Sequence, residues 1–181
     1  MQKKLNPNQP ILDGISLSTI FSGIKQPFQN KDDLLLIELD TNSSIGGVFT
    51  KSLTASAPVI NCKNNLKSSE SPSVRAIVVN SGNANAFTGY LGDRTVENIT
   101  EFLSKKLNCE TNEIYTASTG VIGEILNPEL IINGLKKMGF EHQTNWLKAA
   151  DTIRTTDTFS KVSSRKCFID NIEIDIIGIA K

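Results

Sequence analysis

Thr119 and Gly120, in the run Ala117-Ser118-Thr119-Gly120-Val121-Ile122-Gly123, combine a hydroxyl with an adjacent glycine amide. Two such donors aimed at one oxygen are what an oxyanion hole requires. From residue types alone the same run also reads as a glycine turn between a strand and a helix. It is not a phosphate loop, because GxxxxGK is absent. A second stretch, Thr155-Thr156-Asp157-Thr158, sets hydroxyls beside a carboxylate. It can bind a polar substrate or cap a short helix. Lys181 follows Gly178-Ile179-Ala180 and can meet a carboxylate substrate, although a lysine closing a strand is usually solvated. Asn80-Ser81-Gly82-Asn83-Ala84-Asn85 is rich in small and amide side chains. These hydrogen-bond their own backbone or line a pocket, and GxGxxG is missing.

A complete catalytic set is missing from the sequence. His142 is the sole histidine, so a Ser-His-Asp triad would hang on one unsupported residue, and a structural or exposed role is the simpler reading. Cys62, Cys109 and Cys167 are odd in number and lack a CxxC. They read as fillers, not as a disulfide frame or a thiolate zinc site. Donors for an oxyanion are present and an activated nucleophile is not. Either the chain is a binding module or its nucleophile lies on another chain.

The elements that must position these groups follow from pattern. The 181 residues are one domain's worth, 1–181. Residues 1–31 are rich in turn formers and read as a loosely packed arm with one short strand near Ile15 to Ile20. Asp33 to Asp40 is a strand by its apolar run, and Ile45 to Thr50 is expected as its hairpin partner. Lys63 to Ser73 reads as a polar loop, and Val74 to Asn80 as a β-branched central strand. Asp93 to Leu107 has helical periodicity, with Asp93 as its cap. A short strand at Glu113 to Tyr115 leads into the Thr119 segment. Asn127-Pro128 starts a helix that buries Leu130, Ile131, Leu135 and Met138 and stops at Gly139. Another helix, Asn145 to Arg154, buries Trp146, Leu147, Ala150 and Ile153. Cys167 to Ala180 reads as one last strand, with 174–181 leading out. The order is α/β, in a mixed α+β arrangement. A strand-rich end at Lys181 implies part of a larger object.

Composition excludes several classes. Lys plus Arg and Asp plus Glu are 19 each, so a polyanion-binding, nucleic-acid role fits poorly. The strongly apolar run Leu34 to Ile37 is too short for a membrane span, and Met1 to Pro10 precedes no apolar segment of a signal peptide. A reducing, cytoplasmic setting is expected. Neither a metal nor a prosthetic group is expected.

Taken together, these segments resemble the α chain of the bifunctional ornithine acetyltransferase / glutamate N-acetyltransferase family of arginine biosynthesis. The resemblance rests on Ser22-Gly23-Ile24-Lys25 with Asp33 to Ile37, Gly46 to Thr50 (GGVFT) with Ala57-Pro58-Val59, Arg75 to Gly89 (RAIVVNSGNANAFTG), Ala117 to Glu124 (ASTGVIGE), Thr155 to Lys161 (TTDTFSK) and Gly178 to Lys181 (GIAK). It implies a self-processing N-terminal-nucleophile acyltransferase, cut between an Ala and a Thr. The new N-terminal Thr of the β chain is the nucleophile, and its amine serves as base. Acetyl passes from N-acetylornithine to that Thr and then to glutamate, and some members also use acetyl-CoA as a substrate. Matched position by position, the family's oxyanion pair falls on Thr119 and Gly120, and its substrate contacts on Thr155 and Lys181. The expected assembly is an α2β2 heterotetramer with the β chain, without bound cofactor. Phe87 and Ser160 depart from the common Cys and Pro. The family continues past this lysine to the cleaved bond, so the chain alone is expected to be inactive. A related self-cleaving amidase or aminopeptidase is the alternative enzyme. A non-catalytic small-molecule binding module is the alternative of another class.

Overall fold

The computed structural model describes residues 12–25 and 31–181. A four-stranded sheet runs in the order β1 (Ile15–Ile20), β2 (Leu34–Leu39), β3 (Ala76–Asn83), β4 (Ile114–Val121). β1 and β2 pair antiparallel, as do β2 and β3, whereas β3 and β4 pair parallel. A parallel pair needs a crossover, and α2 (Gly89–Leu107) supplies it. The remaining helices are α1 (Ala57–Lys67), α3 (Pro128–Lys137) and α4 (Trp146–Thr152). β5 (Lys161–Ile169) and β6 (Ile172–Ala180) form a separate hairpin.

Side chains alternate across the sheet. Leu34, Leu36, Ala76, Val78 and Ile114 point to one face, where they pack with Ile99, Leu103, Ile131 and Leu135 of α2 and α3. Leu35 and Leu17 point to the other, against Ala149 and Ile153 at α4. Asn127 caps α3 by accepting from the Glu129 amide, with proline in the first turn, as the dipeptide implies.

Several sequence expectations are corrected. Ile45 to Thr50 is not a strand: Ser44 makes one isolated bridge to Ser73, and Val48 is 98 % exposed. Half of the expected polar loop is α1. Its buried face includes Cys62 and Asn65, which bond to the Thr116 and Ile114 carbonyls of β4, so the apolar period that marks a helix is weak. α2 starts at Gly89 with Thr88, not Asp93, before it. Leu130 and Leu147 are exposed, and Ile132 and Ala149 are the buried neighbours. The single last strand is two. Asp170 and Asn171 both have positive φ, +49° and +64°, which matches the twist of a two-residue hairpin turn. Of the expected N-terminal arm, Ile15–Ile20 is β1, with Leu17, Ser18 and Thr19 buried; 1–11 and 26–30 lie outside the described residues.

Candidate active site wall

Both β3 and β4 run beyond their sequence-read ends, and the excess contains Ser81, Gly82, Thr119 and Gly120. Ser81 pairs with Thr119 and Gly82 with Gly120, and a bulge follows at Asn83. Thr119 and Gly120 therefore lie inside a strand, not in a turn after one. Gly120 has φ +140°, and a methyl group there would lie 2.2 Å from the Gly82 carbonyl carbon. Gly82 has φ +111°, and its methyl would lie 2.9 Å from the Lys25 amide nitrogen. Three backbone segments thus stack with no room for a side chain between them.

Alternation assigns directions to the donors. The Glu113 and Val121 carbonyls accept from Arg75 and Ala84 on the β3 side. The Ile114 and Thr116 carbonyls accept from Asn65 and Cys62 on the opposite edge. The even-numbered residues therefore turn their backbone groups to the outer edge, which places the Gly120 N–H there. The Thr119 side chain shares a face with its register partner Ser81. Ser81 Oγ donates to the Thr152 carbonyl at 2.5 Å, so that face looks toward the end of α4 and the Thr155 segment.

The segment entering this stack is held by Asp33, which is fully buried at the start of β2. Its Oδ1 accepts from the Ser22 amide and hydroxyl, both at 2.7 Å. Its Oδ2 accepts from the Ile24 amide at 2.7 Å and the Lys25 amide at 3.0 Å. Lys25 is itself buried, and its Nζ donates to the Thr152 and Arg154 carbonyls at 3.2 and 2.7 Å. Burial, together with the nearby Lys31, lowers its pKa to about 8 against the pull of Asp33 and Asp151. Lys25 and Asp33 were marked in the sequence only as parts of longer segments, with no role for their side chains, because their partners are remote or are backbone atoms.

Lys181 lies beside Asp157, on the loop that carries Thr155. Arg154 donates to the Asp157 carbonyl at 2.9 Å. Asp157 Oδ1 accepts from Lys161 at 2.5 Å, and Oδ2 lies 3.8 Å from Lys181 Nζ without a hydrogen-bond partner. The Lys161 hydrogen bond and the two ammonium charges hold the Asp157 carboxyl below the usual range. Asp151 takes Lys31 at 3.1 Å, Arg154 at 2.8 Å and Ser160 at 3.0 Å. Burial pushes its pKa up, but these partners outweigh that and hold it low. Among the described residues, no hydrogen bond joins Thr119 or Gly120 to Thr155 or Lys181.

The asparagine run is internally satisfied. Asn80 donates to the Asn83 carbonyl, Asn83 to the Glu124 carbonyl and Asn85 to the Gly92 carbonyl. Ser118 Oγ donates to Asn80 Oδ1 at 2.6 Å, bracing the residue beside Thr119. His142 Nδ1 accepts from the Gly139 amide, a structural role. The three cysteines are free, and burial raises the Cys62 thiol pKa. Among the described residues, no three of His, Cys, Asp or Glu cluster as a metal site, and no helix is long and apolar enough to cross a membrane. Two concavities, one lined by Thr54, Phe87 and Asp93 and the other by Leu91, Asn98 and Asn127, include none of Thr119, Gly120, Thr155 and Lys181. Gly120 and Lys181 are exposed, and Thr119 and Thr155 are partly buried.

Comparison with known proteins agrees with this architecture. The arginine biosynthesis bifunctional protein ArgJ of Agrobacterium fabrum is 42 % identical over 179 residues, which are 98 % of this chain and 42 % of that protein. The protein of the same name from Bartonella henselae is 44 % identical over 173 residues, 95 % of this chain and 41 % of its own length. The chain thus spans about two fifths of the length of these relatives. The crystal structure of the ArgJ protein of Bacillus halodurans superposes with a TM-score of 0.80 at 26 % identity, covering 93 % of this chain and 86 % of that one. Ornithine acetyltransferase of Mycobacterium tuberculosis, solved with ornithine, gives 0.70 at 27 % identity, covering 93 % and 88 %. The mixed α/β fold is the one these solved chains share. The ArgJ family model matches residues 16–181, and the chain belongs to the ArgJ family.

Proposed function

We propose that this chain is the oxyanion and substrate-binding half of a cytoplasmic acetyltransferase that moves acetyl from N-acetylornithine to glutamate. The observation that carries the reading is the end of β4, where a hydroxyl and an outward glycine amide adjoin on a strand locked by the Gly82–Gly120 approach. The nucleophile is a threonine on a β chain from the same precursor, in keeping with relatives more than twice as long as this chain. Its hydroxyl attacks the acetyl carbonyl, and its own amine takes the proton. Thr119 and Gly120 donate to the tetrahedral oxygen. The C–N bond breaks, ornithine leaves with the proton, and an acetyl-threonine ester remains. Glutamate's amine reverses the step and leaves as N-acetylglutamate. Lys181 leaves its loose pairing with Asp157 to meet a substrate carboxylate, and Thr155 adds a hydroxyl beside it. Acetyl-CoA serves as a second donor where the pocket admits it. The working particle is an α2β2 heterotetramer with no bound cofactor.

The test is Thr119→Ala in the complete, processed protein. Loss of one oxyanion donor lowers kcat for acetyl transfer about a hundredfold, with KM within roughly threefold. Unchanged kcat in a correctly assembled variant removes Thr119 from this role. A parent protein that releases acetate to water but never acetylates glutamate would favour the amidase instead.

A further inference from the structure

We propose that Lys25 is a positioning residue that fixes the Thr155 substrate loop against the Thr119–Gly120 wall. The assignment rests on the acetyltransferase reading above and adds a residue to its machinery. Lys25 makes contact with both halves of the site through different atoms. Its backbone nitrogen packs on Gly82, which pairs with Gly120. Its side chain donates to the Thr152 and Arg154 carbonyls, at the end of α4 and one residue before Thr155. Its own amide is pinned by Asp33.

The contact is specific in its chemistry. The last carbonyls of a helix lack intrahelical donors and carry partial negative charge, which an ammonium satisfies. Ser81 also donates to the Thr152 carbonyl. Among the described residues, the side-chain donor at the Arg154 carbonyl is Lys25. Without the ammonium, α4 keeps its tie to β3 through Ser81, while the loop beginning at Arg154 keeps its bonds to Asp151 but loses the one that joins it to the segment stacked on Gly82. A general core residue would loosen the sheet as well. Lys25 instead sits where loss of its side chain frees the loop and leaves the Gly82–Gly120 stack, which is built from backbone.

The test is Lys25→Met in the complete, processed protein, read by steady-state kinetics and by hydrogen exchange of the folded particle. KM for the acetyl donor is expected to rise about tenfold, with kcat within about threefold, because substrate contact is lost and the oxyanion wall is kept. Amides of 153–158 should exchange about tenfold faster, and those of 34–39 at the parent rate. Unchanged KM, or acceleration spread equally over β2, overturns the assignment. If Lys25→Met does not assemble, Lys25→Gln decides, since its amide keeps a donor at shorter reach. A KM rise of about threefold then supports the role and an unchanged KM overturns it. If the unaltered protein transfers no acetyl group, the acetyltransferase reading fails and this assignment fails with it. Unchanged KM in an active variant overturns the assignment alone.

Discussion

Replacing Gly120 with alanine tests the glycine stack directly. The new methyl would lie 2.2 Å from the Gly82 carbonyl carbon and 2.5 Å from the Asn83 nitrogen. Carbon atoms rest about 3.5–4.0 Å apart, so β3 and β4 must separate by more than an ångström. These contacts are backbone, and no rotamer change relieves them. Forcing extra volume into a packed site costs about 1–3 kcal/mol. Placing alanine at φ +140° adds about 1–3 kcal/mol. The total is about 2–6 kcal/mol. The same shift moves the Gly120 N–H by about the distance that costs a hundredfold in rate. Two control glycines separate the causes. Gly123 has φ +84° with nothing within 4 Å, so alanine there carries the conformational cost alone, about 1–2 kcal/mol. Gly178 has open space around it and no positive φ, so alanine there is near neutral, within about 0.5 kcal/mol. Denaturant unfolding and acetyl-transfer kinetics of the three variants give the order. If Gly120→Ala ranks with Gly178→Ala in stability and keeps the parent kcat, the close approach and the role built on it are both refuted.

Two further outcomes follow from the buried charges. Asp33→Asn puts an NH2 where one carboxylate oxygen now accepts, so two donors face each other in a fully buried place. A loss of about 3 kcal/mol is expected, seen as a melting point lower by roughly 6–12 °C; a shift within about 2 °C would show that Asp33 is not the anchor of 22–25. Lys25, faced by Lys31, Asp33, Asp151 and Arg154, has a pKa of about 8 when folded and about 10.4 unfolded. Above pH 8 the unfolded chain holds more protons, so the Lys25 contribution to stability rises with pH. The parent should gain about 2 kcal/mol on Lys25→Met between pH 7 and 9.5 in denaturant titrations. A gap that stays constant or moves the other way contradicts the buried ammonium.

What could be read from the residues depended on whether the signal was local. Leu34–Leu39 is a strand by its own apolar run, and Asn127-Pro128 starts α3 by its own capping chemistry. α1 was hidden because the face it buries against β4 includes an asparagine and a cysteine used as donors. The final hairpin was hidden because its turn reaches positive φ with Asp and Asn, without the glycine that usually announces it. At the site, Thr119 beside Gly120 was legible as a pair of donors. Its support was not, because Lys25 meets carbonyls 127 and 129 residues away. Nothing in a local window records such a pairing. Gly82 read as one small residue in an asparagine-rich run, and its meaning lies in the strand stacked on it.

Among the described residues β4 is the last strand of its sheet, so its outer side is an edge of the kind that recruits foreign strands. The fold blunts half of it. Asn65 and Cys62 on α1 occupy the Ile114 and Thr116 carbonyls with side-chain donors, and a strand cannot be added there. The protection ends where the Thr119 segment begins, and Ala117, Gly120 and Val121 are exposed. The stretch proposed to offer its backbone to a reacting oxygen is therefore the same stretch that offers a template to an unrelated chain. An edge left open for chemistry is also an edge left open for aggregation, so solubility and activity make opposite demands on the same half of one strand.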